Sequence, residues 1–482
     1  MKPPTLALDE IQGDVLEGLQ KNIENFVFFK IINSVYFKTL IKQYVVSRVT
    51  SAEQVNNWGT IIRRRKGFVQ ARSDRFHGLN LGFSHNGLTQ LIRAGLPKLD
   101  PAFDRGADHQ DTIKALNDPP RSTWLKEFVA DRIDGVFLVT GPDRPSVTLH
   151  SNEVLRLLGA SIKVVYSEIG NTRPGAERGH EHFGFLDGVS QPGIRGLTES
   201  SHPRYRPGQG LPGQDLLWPG EFVFGYSGQD PYDPVKKGSS PPMAASWLRN
   251  GSYMVFRRLE QKVPEFRKFV AEQAARLGMD RELLAARMVG RRRSGAPLEL
   301  APLHDNPALG ADATRNNDFE FGDDPFQRRC PYAAHIRKAY PRDDTASAAE
   351  VERHRIIRRD PVWSRGGAQR NHDAAQPGTD VRVLSDLDRA AVRVHTEELC
   401  EQSRFRTGKK RPGAGGAVVP GFDPIIGQAP GNSARRMDEP FPNYPAGSRR
   451  TTLAIPEQFV KLTAAAYFFM PSITALRTVL TS

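Results

Sequence analysis

The chain has 482 residues, 38% of them hydrophobic and 25% charged, with a formal net charge of +13. That length suits roughly two to four ordinary domains, with cores large enough to need no disulfide staples. Its two cysteines, Cys330 and Cys400, exclude a disulfide scaffold, and no apolar run reaches the roughly 18 residues of a membrane helix.

Met1 to Glu10 contains no apolar leader core, so a cytoplasmic protein is the default expectation. In Ile11-Gln12-Gly13-Asp14-Val15-Leu16 the glycine suggests a turn. Asn25 to Ile32 reads as a buried strand. Tyr36 to Val46 reads as a helix, with Phe37, Leu40, Ile41, Tyr44 and Val45 at helical spacing. Dense basic runs include Arg63-Arg64-Arg65-Lys66 and Arg291-Arg292-Arg293. Neither is interleaved with aromatics, so each reads as solvated surface and no nucleic-acid partner is expected. His77 to Ser84 reads as a strand, Asn86 to Leu91 as a helix and Ile133 to Thr140 as a strand. Ser151 to Gly159 reads as a short helix and Ile162 to Glu168 as a strand.

Residues 200–245 are rich in proline and glycine and read as a long connection. A boundary there gives an N-terminal domain at 1–225 and a C-terminal domain at 226–482. In the second half Gly251 to Arg258 reads as a strand. Val263 to Leu277 and Arg281 to Val289 read as helices, and Ala464 to Pro471 as a strand stopped by proline. Strands alternating with helices fit either a parallel α/β sheet or an antiparallel α+β sandwich, and periodicity does not choose between them.

Three constellations carry chemistry. Gly184-Phe185-Leu186-Asp187-Gly188 follows Gly179-His180-Glu181-His182-Phe183 and precedes Val189-Ser190-Gln191-Pro192-Gly193. Its glycines permit a tight loop that aims Asp187 into a cavity, although an Asp-Gly pair alone is usually only a turn. Cys330-Pro331-Tyr332-Ala333-Ala334-His335-Ile336-Arg337-Lys338-Ala339-Tyr340-Pro341-Arg342 sets a histidine behind two alanines. A lone histidine is usually structural, but these small neighbours would let a flat macrocycle approach an axial ligand. His354-Arg355-Ile356-Ile357-Arg358-Arg359 reads either as a strand end with solvated charge or as an arginine turned toward an anion.

Together these strings resemble the dye-decolourising peroxidase family. Ile11-Gln12-Gly13, Gly421-Phe422-Asp423-Pro424-Ile425-Ile426-Gly427-Gln428 and Tyr467-Phe468-Phe469-Met470-Pro471-Ser472 resemble it too, so the likeness covers nearly the whole chain. The resemblance implies an α+β fold of two ferredoxin-like domains, with antiparallel sheets and peripheral helices. It implies haem b as cofactor, hydrogen peroxide as oxidant, and dyes, phenols and other aromatics as one-electron reductants. It makes His335 the axial haem ligand, Asp187 the distal acid and Arg358 the distal arginine, with Arg359 and Arg355 as fallbacks. Gly184, Gly188 and Arg337 fall among the cofactor-binding positions. Asp423, Asp438 and Glu457 are the acids open to hold the second nitrogen of His335. Trp218 and Trp247 are candidates for passing electrons from surface-bound substrates. An inactive or haem-handling paralogue and a basic nucleic-acid-binding protein are the competing readings.

The likeness breaks off after Arg359. The family continues with a Gly-Ile-Pro-Tyr-Gly-like turn and a buried apolar strand, whereas residues 360–404 hold Trp363 but no Phe or Tyr before Phe405. Reading Asp360 to Ser364 one base later, with allowed codons, gives a Gly-Ile-Pro-Tyr-Gly-like string. The same shift from Thr379 permits Leu-Met-Phe-Val-Cys-Tyr-Gln. The stretch is therefore read as a frame slip, expected to form no sheet ladder and no buried face, and to weaken haem binding.

Overall fold

Ile23–Ile31 is apolar at six of its nine positions, and it is buried on both faces as strand β1, between two antiparallel neighbours. The computed structural model describes residues 4–19, 22–65, 76–92, 95–198, 208–344, 348–358, 362–365, 379–387, 423–427, 435–439 and 451–482. After β1 the strands are β2 (Gly78–Phe83), β3 (Gly135–Gly141), β4 (Ile162–Asn171), β5 (Gly193–Ile194), β6 (Leu216–Leu217) and β7 (Ser252–Lys262). Then follow β8 (Ile357–Arg358), β9 (Val362–Arg365), β10 (Thr379–Leu387), β11 (Arg436–Glu439), β12 (Thr451–Ala454) and β13 (Val460–Met470).

The first half lays its strands in the antiparallel order β4-β1-β3-β2. The second half runs β13-β7-β10, with β8 and β9 on the far side of β10. β13 joins β2 at Phe469 and Phe83, and β4 joins β9 at Asn171 and Trp363. β10 pairs with β7 as well as with β9, so the sheet closes into an antiparallel barrel. Of the two architectures left open by the periodicity, the structure is the antiparallel α+β one.

One continuous apolar core serves residues on either side of position 225. Phe28 of β1 stands edge-on to Phe256 of β7 at 4.7 Å and lies 6.0 Å from Phe468 of β13. Gln12 is fully buried among these strands. Its Nε2 donates to Leu81 O at 2.9 Å and to Pro471 O at 2.8 Å, and its Oε1 accepts from Leu81 N at 2.8 Å. Two strings that resemble the family from opposite ends of the chain thus meet at one side chain.

Several elements differ from the sequence reading. Gly13 begins a short helix, Gly13–Leu16, rather than a turn. The helix expected from Tyr36 to Val46 is Ser34–Leu40 followed by a wider π turn, Ile41–Val45, which keeps Ile41 and Val45 in the core. The helix expected from Ser151 starts earlier, at Arg144, because Asp143 accepts from Ser146 N at 2.8 Å and Pro145 sits in the first turn. Helix Ala52–Arg65 went unread, although Ser51 and Gln54 form a capping box: Gln54 Oε1 accepts from Ser51 N at 2.9 Å and Ser51 Oγ from Gln54 N at 3.2 Å. The basic run at Arg291 is not solvated. Arg291 and Arg292 are buried and donate to the carbonyls of Gly295, Asn316, Ala301 and Pro302.

The largest correction concerns residues 360–404. Thr379–Leu387 does form a ladder, in register with β7 from Lys262 to Val255. Backbone pairing is independent of side-chain identity, and Val381 and Val383 favour an extended chain beside the β7 edge. The side chains of Val381, Val383, Leu384 and Leu387, and all of Val392, lie outside the described residues.

Candidate active site

The Gly184–Gly188 loop is shaped by its glycines and by a buried acid. Gly184 and Gly188 have φ of +100° and +71°, and a Cβ on Gly184 would meet Arg293 Nη1. Glu181, buried, accepts from Phe183 N at 2.8 Å, Phe185 N at 2.7 Å and Gln261 Nε2 at 2.8 Å. Burial pushes the Glu181 carboxyl up, and the backbone donors oppose that shift. This acid went unremarked in the sequence, although it lies within a quoted string.

Asp187 leaves this loop with Oδ1 accepting from Gly188 N at 2.8 Å and from Arg358 Nη1 at 3.1 Å. The two side chains are 12% and 26% exposed, so the pair is shielded yet reachable by a small molecule. Arg358 is held from behind. Gln191 Nε2 donates to Arg358 O at 2.7 Å, and Gln191 Oε1 accepts from Arg358 N at 3.1 Å. Gln191 is a second positioning residue that the sequence did not mark. The fallback Arg355 instead faces Asp215 and Glu352, and Arg359 lies outside the described residues.

His335 opens a short helix, His335–Ala339, directly behind Ala333 and Ala334. Its Nδ1 donates to Asp423 Oδ2 at 2.8 Å, and Asp423 is fully buried. The other carboxylate oxygen accepts from Ile425 N at 2.8 Å and Ile426 N at 3.1 Å. Of the three acids left open, Asp423 is the partner. Glu457 is exposed and the Asp438 side chain lies outside the described residues. With Nδ1 engaged, His335 presents Nε2 as its free lone pair. That donor set, an imidazole braced by a buried carboxylate, suits a metal of the haem type.

Arg337 corrects the sequence reading. Its guanidinium is fully buried, with Nε donating to Asp344 at 2.6 Å and Nη1 to Asp324 at 3.3 Å and to Cys330 O at 2.5 Å. The rings of Phe321 and Tyr332 enclose it at 4.6 and 4.4 Å. Its donors are spent on the fold and none is left for a cofactor carboxylate. Removing one partner of such a buried ion pair costs about 3–5 kcal/mol. Arg337→Ala is therefore expected to lower the unfolding free energy by that amount, read as a lower urea midpoint at unchanged slope, and an unchanged midpoint would show the cage to be dispensable. Trp218 is also not a surface residue: it is 4% exposed, with Arg195 stacked at 5.3 Å. Trp247 is half-buried against Phe469 at 5.5 Å.

Residues 10–174 match the family model of the DyP dimeric alpha+beta barrel domain. The dye-decolorizing peroxidase of Exidia glandulosa is 35% identical over 487 residues, covering 98% of this chain and 87% of that protein. A variant of the Pleurotus ostreatus dye-decolorizing peroxidase has a structure similar at a TM-score of 0.83, with 32% identity over 99% of this chain and 100% of that one. A dye-decolorizing peroxidase solved in complex with 2,6-dimethoxyphenol is similar at a TM-score of 0.77, with 31% identity over 99% of this chain and 100% of that one. Likeness at this level, over nearly the whole length, means that the chain belongs to the dye-decolourising peroxidase family, whose members oxidise dyes and phenolics with hydrogen peroxide.

Proposed function

We propose that the chain works with haem b bound through His335 Nε2, and that Asp187 and Arg358 act on the peroxide. The observation that carries this reading is the 3.1 Å contact between Asp187 and Arg358, which brings together two motifs far apart in sequence. When bound, the haem supplies the electrons that cleave the peroxide O–O bond. Asp187 takes the proton from the near peroxide oxygen and hands it to the far one, which leaves as water. Arg358, always charged, stabilises the negative charge that builds up during this transfer. Asp423 holds the Nδ1 proton of His335, which fixes the orientation of the ring.

Two one-electron reductants then restore the resting enzyme. The relative solved with 2,6-dimethoxyphenol supports a phenol as such a reductant. The test is direct: the haem-loaded chain, given hydrogen peroxide, should decolourise an anthraquinone dye and oxidise 2,6-dimethoxyphenol. A haem-loaded chain with a normal Soret band and no turnover of either would overturn the reading and favour the inactive paralogue.

A further inference from the structure

Four polar side chains used by no step above meet in one buried cluster. Tyr340 closes the short helix that begins at His335, and Asp215 immediately precedes β6. Glu352 and Arg355 stand on the segment that leads into Arg358. The Tyr340 hydroxyl donates to Asp215 and lies 3.2 Å from Glu352 Oε1. Arg355 Nη1 is 3.4 Å from Asp215 and 3.7 Å from Glu352, and its guanidinium covers the Tyr340 ring at 3.6 Å.

A hydroxyl owns one hydrogen. It bonds well to two carboxyls at once when one of them is itself protonated and donates back to the hydroxyl oxygen. Glu352 is the better holder of that proton, because its side chain is 6% exposed and that of Asp215 is 29%. Burial first, and the Asp215 charge second, push the Glu352 carboxyl up to about 8, and Arg355 opposes them. The neighbours that also face the cluster are Arg342, 4.9 Å from the Tyr340 ring, Arg195 beside Glu352, and Glu320 toward Asp215.

The same elements are laced together on their backbone side. Gln214 Nε2 donates to Gln191 O at 3.2 Å, and Gly193 N donates to Asp215 O at 2.8 Å. Gln191 in turn grips both backbone groups of Arg358. The cluster therefore ties the helix of His335 to the segment of Arg358 and to the loop of Asp187.

We propose that Tyr340, Asp215 and Glu352 form a latch that shares one proton and positions Arg358. The inference rests on the role given above to Arg358. With the proton in place, the three groups draw together. Once Glu352 ionises, two carboxylates face each other across the hydroxyl and the segment loosens. A displacement near 1 Å costs roughly a hundredfold in rate.

The experiment measures the second-order rate of the peroxide step in haem-loaded protein, from about pH 5 to about pH 9, a window that spans the shifted carboxyl. The wild type should slow on the alkaline side, and Glu352→Gln should abolish that limb. Tyr340→Phe should react about tenfold more slowly with the Soret band in place, and Tyr340→Phe with Glu352→Gln should regain most of the loss. Arg358→Ala runs alongside. If it slows the step while Tyr340→Phe and Glu352→Gln both match the wild type at every pH, the latch is wrong and the reading of Arg358 stands. A slow Tyr340→Phe that Glu352→Gln does not rescue also overturns the latch. If Arg358→Ala is as fast as wild type, the reading of Arg358 falls and the latch with it. Should Tyr340→Phe not fold, the alkaline limb of Glu352→Gln alone decides.

Discussion

His335→Ala is expected to take up haem without the Soret band of the parent protein and to lose peroxidase turnover. Two losses coincide in this variant. The Nε2 lone pair disappears, and the fully buried Asp423 loses the N–H that it accepts at 2.8 Å. Changing only the group behind a metal-bound histidine typically costs 10–100-fold in affinity or activity. Asp423→Asn should fall in that range, and His335→Ala well beyond it. Added imidazole should restore part of the His335→Ala spectrum by filling the vacated position. Absorbance titration with haem reads both quantities. A parental Soret band in His335→Ala would remove this residue from the axial role.

Asp187→Asn and Arg358→Leu should each bind haem normally and slow the peroxide step by roughly 10²–10⁴. The asparagine keeps the shape of the acid but cannot take a proton. The leucine removes the permanent charge and leaves Asp187 with its Gly188 contact. The two groups act on one transfer, so the double variant should lose less than the product of the single losses. Stopped-flow mixing of each variant with peroxide checks this. One single variant with an unchanged rate would mean that its partner dominates. Unchanged rates in both singles and in the double would remove the pair from the mechanism.

The fold class was legible in the sequence, and so were the strings proposed to carry the chemistry. Asp187, Arg358 and His335 stand in long ordered strings, and a string of that kind survives whatever its surroundings do. Their supports were harder to see. Gln191, Glu181 and Asp423 act by meeting partners distant in the chain, such as Arg358, Gln261 and His335. No local spacing announces such a meeting. Arg337 shows the converse error, since it lies within the histidine string yet spends its donors on Asp324 and Asp344. Among the elements, Val263–Leu277 and Arg281–Val289 were read to the residue, because apolar stripes and glycine stops define both. Helix Ala52–Arg65 is announced by its Ser51–Gln54 box more plainly than by apolar periodicity, which is weak along it. The ladder at Thr379–Leu387 was missed for a different reason: a waiting strand edge recruits backbone, and composition does not reveal that edge.

The place of β13 in the barrel bears on how the protein is made. This strand lies between β7 and β2, so it joins the two halves, and Gln12 holds Pro471 just beyond its end. A growing chain emerges from its N-terminal end, so β2 and β7 appear long before the strand that covers them. Until Val460–Met470 leaves the ribosome, both edges present unpaired N–H and C=O groups beside apolar faces. Contacts this distant in sequence also form slowly. The nascent chain is thus exposed to edge-to-edge aggregation from the emergence of Gly78–Phe83, and more so from that of Ser252–Lys262, until Val460–Met470 follows, the interval in which a holdase chaperone would act.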